Sequence, residues 1–141
     1  MDERTEIRLS GSGGQGLILA GIILAEATIL DGKNAVQSQS YGPEARGGAS
    51  RAEIIISNAS IDYPKVSKPD IMLALTEEAM KKYKNDLRED GFLIIDSSME
   101  KPEHSYDILR VPILKTAQEK IGKVIVANIV ALGTLTSATG I

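Results

Sequence analysis

The sequence contains no cysteine and a single histidine, His104. Without a thiol the chain cannot build a disulfide framework, supply a thiol nucleophile or ligate an iron–sulfur cluster by itself, so any electron carrier must sit on a partner or a bound cofactor. One imidazole cannot make a multi-histidine metal site within one copy, and its place after Pro102-Glu103 reads as a solvated loop rather than a catalytic base. Excess positive charge is missing as well. Sixteen Lys and Arg stand against 19 Asp and Glu, a formal net charge of −3, which lacks the phosphate-neutralising footprint of a general nucleic-acid binder. The longest early apolar stretch, Leu17 to Leu30, is interrupted by Gly21 and Glu26 and falls short of the about 20 residues that cross a bilayer. The first residues mix acids and bases without the positive-then-apolar order of a secretory signal. No membrane anchor is expected, and the cytoplasm is the default compartment.

What is present suits one globular domain. The 141 residues leave little room for a second core, and 43% hydrophobic with 25% charged residues is a composition that can bury one. Ile7-Arg8-Leu9 alternates apolar and polar ahead of a glycine turn at residues 10–16, and the apolar-rich 17–30 segment predicts a helix stopped by a left-handed cap at Gly32. Strands are predicted at 34–40, 52–56, 71–75 and 92–96, with a weaker one at 107–111. Helices are predicted over 77–87, capped by Thr76 with Glu77 and Glu78 in the first turn, over 114–121, and from about Val124 to Ala138. Strands alternating with helices predict an α/β, three-layer Rossmann-like domain with a mostly parallel sheet. Because no helix separates the strands between residues 36 and 57, that sheet should be mixed.

Two segments carry chemistry. Gly11-Ser12-Gly13-Gly14-Gln15-Gly16 matches G-x-G-x-x-G with a strand before it and a helix after it. Such glycines let a ligand approach backbone amides, and the helix start that follows directs partial positive charge at a phosphate or carboxylate. A dinucleotide site would add an acid about 20 residues further on, but the second strand ends in Gln37-Ser38-Gln39-Ser40. That weakens a nicotinamide reading and leaves open that the glycines serve only tight strand-to-helix packing.

The second segment, Tyr41-Gly42-Pro43-Glu44-Ala45-Arg46-Gly47-Gly48-Ala49-Ser50-Arg51, joins an aromatic to two arginines and three glycines. Arg46 and Arg51 can each present a planar fork to a carboxylate or phosphate, and Tyr41 can stack or donate a hydrogen bond. In a parallel sheet this loop and the glycine loop start from the same carboxyl-terminal edge and can frame one crevice. Pairing of Arg46 with Glu44, in an ordered turn or a subunit contact, is the competing reading.

Residues 10–27, SGSGGQGLILAGIILAEA, together with 37–57, QSQSYGPEARGGASRAEIIIS, resemble the gamma subunit of 2-oxoacid:ferredoxin oxidoreductases, the 2-oxoglutarate type being the most similar among pyruvate, branched-chain 2-oxoacid and indolepyruvate types that share this domain. Ile61-Asp62-Tyr63-Pro64, the run Pro69 to Leu75 and Asn128-Ile129-Val130-Ala131-Leu132-Gly133 follow in the same order, and YGPEARGG is the most specific stretch. The resemblance implies a multi-subunit enzyme that decarboxylates a 2-oxoacid on thiamine diphosphate, passes electrons through iron–sulfur clusters to ferredoxin and forms an acyl-CoA. It implies that those cofactors belong to partner chains: alpha and beta subunits and a ferredoxin-like delta subunit or domain. This chain would bind no cofactor alone, serve assembly and contribute to the surroundings of the CoA site. Gly11, Ser12, Gly13, Gly14, Gln15 and Gly16 would then form an anion-facing turn, with Tyr41, Arg46 and Arg51 lining the adjoining crevice or the subunit interface. No nucleophile or general base is expected. The family's chains generally continue further, so the resemblance also implies a truncation after Ile141. The alternatives are a free-standing nucleotide-binding oxidoreductase and a purely structural interaction module.

Overall fold

A computed structural model describes residues 4–12, 16–40, 49–62, 65–66, 68–99, 107–121 and 127–139. Among these, β1 (Arg4–Ser12), α1 (Leu17–Leu30), β2 (Asn34–Ser40), β3 (Ala49–Ser57), β4 (Ile71–Ala74), α2 (Glu77–Tyr83), β5 (Phe92–Asp96), β6 (Asp107–Val111), α3 (Ile113–Thr116) and α4 (Ala127–Thr139) follow in order. A 3-10 turn, Lys84–Asp86, extends α2, and a wider π turn, Ala117–Ile121, extends α3.

The six strands lie in the order β2-β3-β1-β4-β5-β6. β1, β4, β5 and β6 pair in parallel, while β3 is antiparallel to both β1 and β2. β3 alone runs against the rest, as a strand reached without a crossover helix must. The expected α/β layering with a mostly parallel but mixed sheet is what forms.

Side-chain alternation builds the layers. On one face Ile7 and Leu9, Ala52, Ile54 and Ile56, Ile71 and Leu73, and Ile94 pack against Leu17, Ala20 and Leu24 of α1 and Ala127, Ala131 and Leu135 of α4. On the other, Met72, Ala74, Leu93 and Ile95 meet Ala79, Met80 and Tyr83 of α2. Both faces of β4 are thus buried, which explains why its sequence reads as an unbroken apolar run.

The predicted caps are in place. Thr76 Oγ1 accepts from the Ala79 amide at 3.1 Å, with Glu77 and Glu78 in the first turn of α2. Gly32, at φ +87°, ends α1 in the left-handed conformation, its amide donating to the Ile29 carbonyl at 3.0 Å.

Two strand boundaries correct the sequence reading. β1 continues to Ser12 and β3 begins at Ala49, because Gly11 pairs with Ser50 and Ser12 with Ala49. Gly11 and Ser12 are therefore ladder residues, not part of the turn: pairing with β3 carries the strand through them and overrides their weak strand preference. α4 is described from Ala127, and the residues before it expected to be helical, 124–126, lie outside the described residues, as does His104.

An acid at the end of β5 fastens the far side of the sheet. Asp96, 2% exposed, accepts from the Leu114 amide at 2.8 Å and from the Ser98 amide at 2.9 Å. It caps α3 from a distance, where Pro112 offers no side-chain cap. Asp96→Ala would remove a charged acceptor from both amides, that of the half-buried Leu114 and that of the exposed Ser98. The expected cost is about 2–3 kcal/mol in chemical denaturation.

Candidate functional site

Strand register decides which loops meet. β1 ends at Ser12, opposite Ala49, and β2 ends at Ser40, opposite Arg51, so the carboxyl ends of β1 and β2 flank the start of β3. At the usual strand spacing the roots of the 13–16 and 41–48 segments lie roughly 10 Å apart on one edge of the sheet. The Leu75 amide, which donates to the Ser10 carbonyl at 3.0 Å, places the exit of β4 on that edge too.

Gly16 is the described end of the glycine segment. It caps α1 at φ +73° and ψ 22°, a left-handed conformation, and as glycine supplies no side-chain cap. Its carbonyl accepts from the Ala20 amide at 3.1 Å and from Asn128 Nδ2 at 3.2 Å. The contact with Asn128 brings the first turn of α4 against the start of α1. Neither helix has an acid in its first turn, so two adjoining helix ends keep their partial positive charge. Gly13, Gly14 and Gln15 lie outside the described residues, as do Tyr41 and Arg46.

Arg51 sits on the same edge but on the opposite face of the sheet from α1. Its neighbour Ala52 packs in the α1 core, so alternation along β3 turns Arg51 and Glu53 toward α2. Arg51 Nε lies 3.8 Å from Glu53 Oε1, and its guanidinium carbon is 5.5 Å from the centre of the Tyr83 ring. The Arg51 side chain is one-third exposed. The edge thus unites the backbone roots of the two predicted segments, whereas the Arg51 side chain joins a charge cluster beneath them.

That cluster centres on Arg8, 2% exposed in the middle of β1. Its Nη2 lies 2.7 Å from Glu53 Oε2, its Nη1 donates to Asp86 Oδ2 at 2.7 Å, and its guanidinium carbon is 5.1 Å from the Tyr83 ring centre. Arg8 and Glu53 are register partners. The pairing ties β1, β3 and the turn after α2 to the foot of Arg51.

Sequence reasoning missed Arg8, Asp96 and Asn128 as organising residues. Arg8 reads locally as the exposed half of an alternating strand. Asp96 and Asn128 each give a weak signal, the first as the acid that closes an apolar run and the second as a lone polar residue inside one. Among the described residues no three His, Cys, Asp or Glu side chains gather as metal ligands, and no helix is long and apolar enough to cross a membrane.

The sequence profile of the family described as "Pyruvate ferredoxin/flavodoxin oxidoreductase" matches residues 6–141. The 2-oxoglutarate synthase subunit KorC of Methanothermobacter marburgensis is 52% identical, over 98% of this chain and 79% of the relative. KorC of Methanocaldococcus jannaschii is also 52% identical, over 98% of this chain and 76% of the relative. The crystal structure of the keto/oxoacid ferredoxin oxidoreductase gamma subunit from Geobacter sulfurreducens superposes with a TM-score of 0.89 at 53% identity, covering 98% of this chain and 77% of that one. With the profile spanning nearly every residue and the fold matching a solved gamma subunit, the chain belongs to the pyruvate ferredoxin/flavodoxin oxidoreductase family as a gamma-type subunit.

Proposed function

We propose that this chain is the gamma-type subunit of a 2-oxoglutarate:ferredoxin oxidoreductase and lends its carboxyl edge to the CoA site of the assembled complex. The observation that carries the edge assignment is the convergence at Gly16: two helix starts with no acid in either first turn meet at the rim from which the 41–48 segment also leaves. Backbone amides and arginines suit the phosphates of CoA. The 2-oxoglutarate assignment rests on the KorC relatives.

In this reading the chain supplies surface and positioning. The sequence has no cysteine and so no thiolate for a cluster, which agrees with the family likeness in assigning iron–sulfur centres to partner chains; from that likeness, thiamine diphosphate too is assigned to alpha, beta and delta-type partners that deliver electrons to ferredoxin. The complex works in the cytoplasm.

Activity tests the assignment. The purified chain, given 2-oxoglutarate, CoA and an electron acceptor, is expected to show no turnover, and the co-purified complex to prefer 2-oxoglutarate over pyruvate by at least about tenfold in kcat/KM, a margin that contacts to a second carboxylate readily supply. Turnover by the chain alone, or a complex that prefers pyruvate, would contradict it.

A further inference from the structure

The contact between Gly16 and Asn128 joins residues 112 positions apart in the sequence. Asn128 is 7% exposed, so its side-chain amide is a buried polar group that must be satisfied within the fold. It is satisfied at both ends. Oδ1 accepts from the Ile129 amide at 2.9 Å in the first turn of α4, while Nδ2 donates to the Gly16 carbonyl at 3.2 Å. A carbonyl requires a donor and an N–H an acceptor, so the two partners dictate which way the amide faces. Aspartate would set a charged oxygen against the Gly16 carbonyl, and alanine would leave it without this donor.

Gly16 is fitted to the same contact. A Cβ at this position would stand 2.7 Å from Asn128 Nδ2. The bend therefore leaves in a left-handed conformation and passes against Asn128 too closely for a side chain.

We propose that Asn128 is the positioning residue of the glycine bend: its amide clamps the exit of the bend to the first turn of α4 and so fixes the direction in which the leading amides of α1 point. Asn128 need not touch ligand. It acts through Gly16, and a shift of α4 within the complex would be passed to the bend through this hydrogen bond as well as through the core that α1 and α4 share. The link to catalysis rests on the reading of this edge as part of the CoA site; the clamp itself does not.

The test uses the assembled complex carrying Asn128→Asp or Asn128→Ala, followed by two readouts. Hydrogen exchange of the α1 start, the Ala20 and Gly21 amides above all, is expected to quicken at least about tenfold in both variants, the ratio typical of one lost buried hydrogen bond, with the β5 amides unchanged. The KM for CoA is expected to rise by a similar factor, with kcat and the KM for 2-oxoglutarate held within about twofold. Faster exchange with an unaltered CoA KM keeps the clamp and removes the CoA reading. Unchanged exchange at the α1 start overturns the clamp. Failure of both variants to assemble would make Asn128 an ordinary packing residue and overturn it equally.

Discussion

Glu53→Ala is expected to lower the stability of the chain by about 3 kcal/mol. Glu53 is 8% exposed and holds the guanidinium of Arg8, itself 2% exposed, with an Nη2 to Oε2 distance of 2.7 Å. Removing the carboxylate leaves a buried cation with the Val66 carbonyl at 3.4 Å and Asp86, whose side chain is 45% exposed. The cost arises from the stranded charge rather than from the worth of the pair, so the double variant Arg8→Met with Glu53→Leu should regain most of the loss. Asp86→Ala should cost under about 1 kcal/mol, since its half-exposed carboxylate is largely solvated already. Urea denaturation reads all three, and a Glu53→Ala variant within about 1 kcal/mol of wild type would show that the cluster is not held as described.

Gly16→Ala should produce the next largest effect. Holding a non-glycine residue at φ +73° costs of order 1–2 kcal/mol, and the new Cβ would also collide with Asn128 Nδ2 at 2.7 Å. Together about 3 kcal/mol is expected. In an Asn128→Ala background the collision with Nδ2 is removed, leaving the backbone term and a tight 3.3 Å approach to the Cβ of residue 128, so the two substitutions should combine for less than their sum by about 1 kcal/mol or more. Strict additivity in denaturation would mean that the two groups do not touch.

Most of the element order was legible because the apolar runs at residues 71–75 and 92–96 are short, bounded by polar residues and separated by segments of helical composition, a pattern with few alternative folds. The mixed sheet followed from one local fact, the missing helix between β2 and β3. The reach of β1 was not legible. Ser10-Gly11-Ser12 has the composition of a turn, and only the distant partners Ser50 and Ala49 make it a strand. Arg8 was hidden for a related reason: alternation announces that a strand has two faces but not that α2 and the turn after it will cover the second. At the candidate site the shared edge of the two loops followed from parallel topology, whereas the turning of Arg51 toward Tyr83 depends on which face α1 takes. Asn128 could not be connected to Gly16 at all, since nothing in either local sequence refers to the other.

The most direct test of the edge as a CoA-facing rim is the KM for CoA of the assembled complex carrying Arg46→Ala, a residue of the 41–48 segment that lies outside the described structure. A rise of about tenfold is predicted, the usual loss for one charge-assisted phosphate contact, with the KM for 2-oxoglutarate and the assembly unchanged. A fully assembled complex whose CoA KM stays within about twofold of wild type would contradict the account.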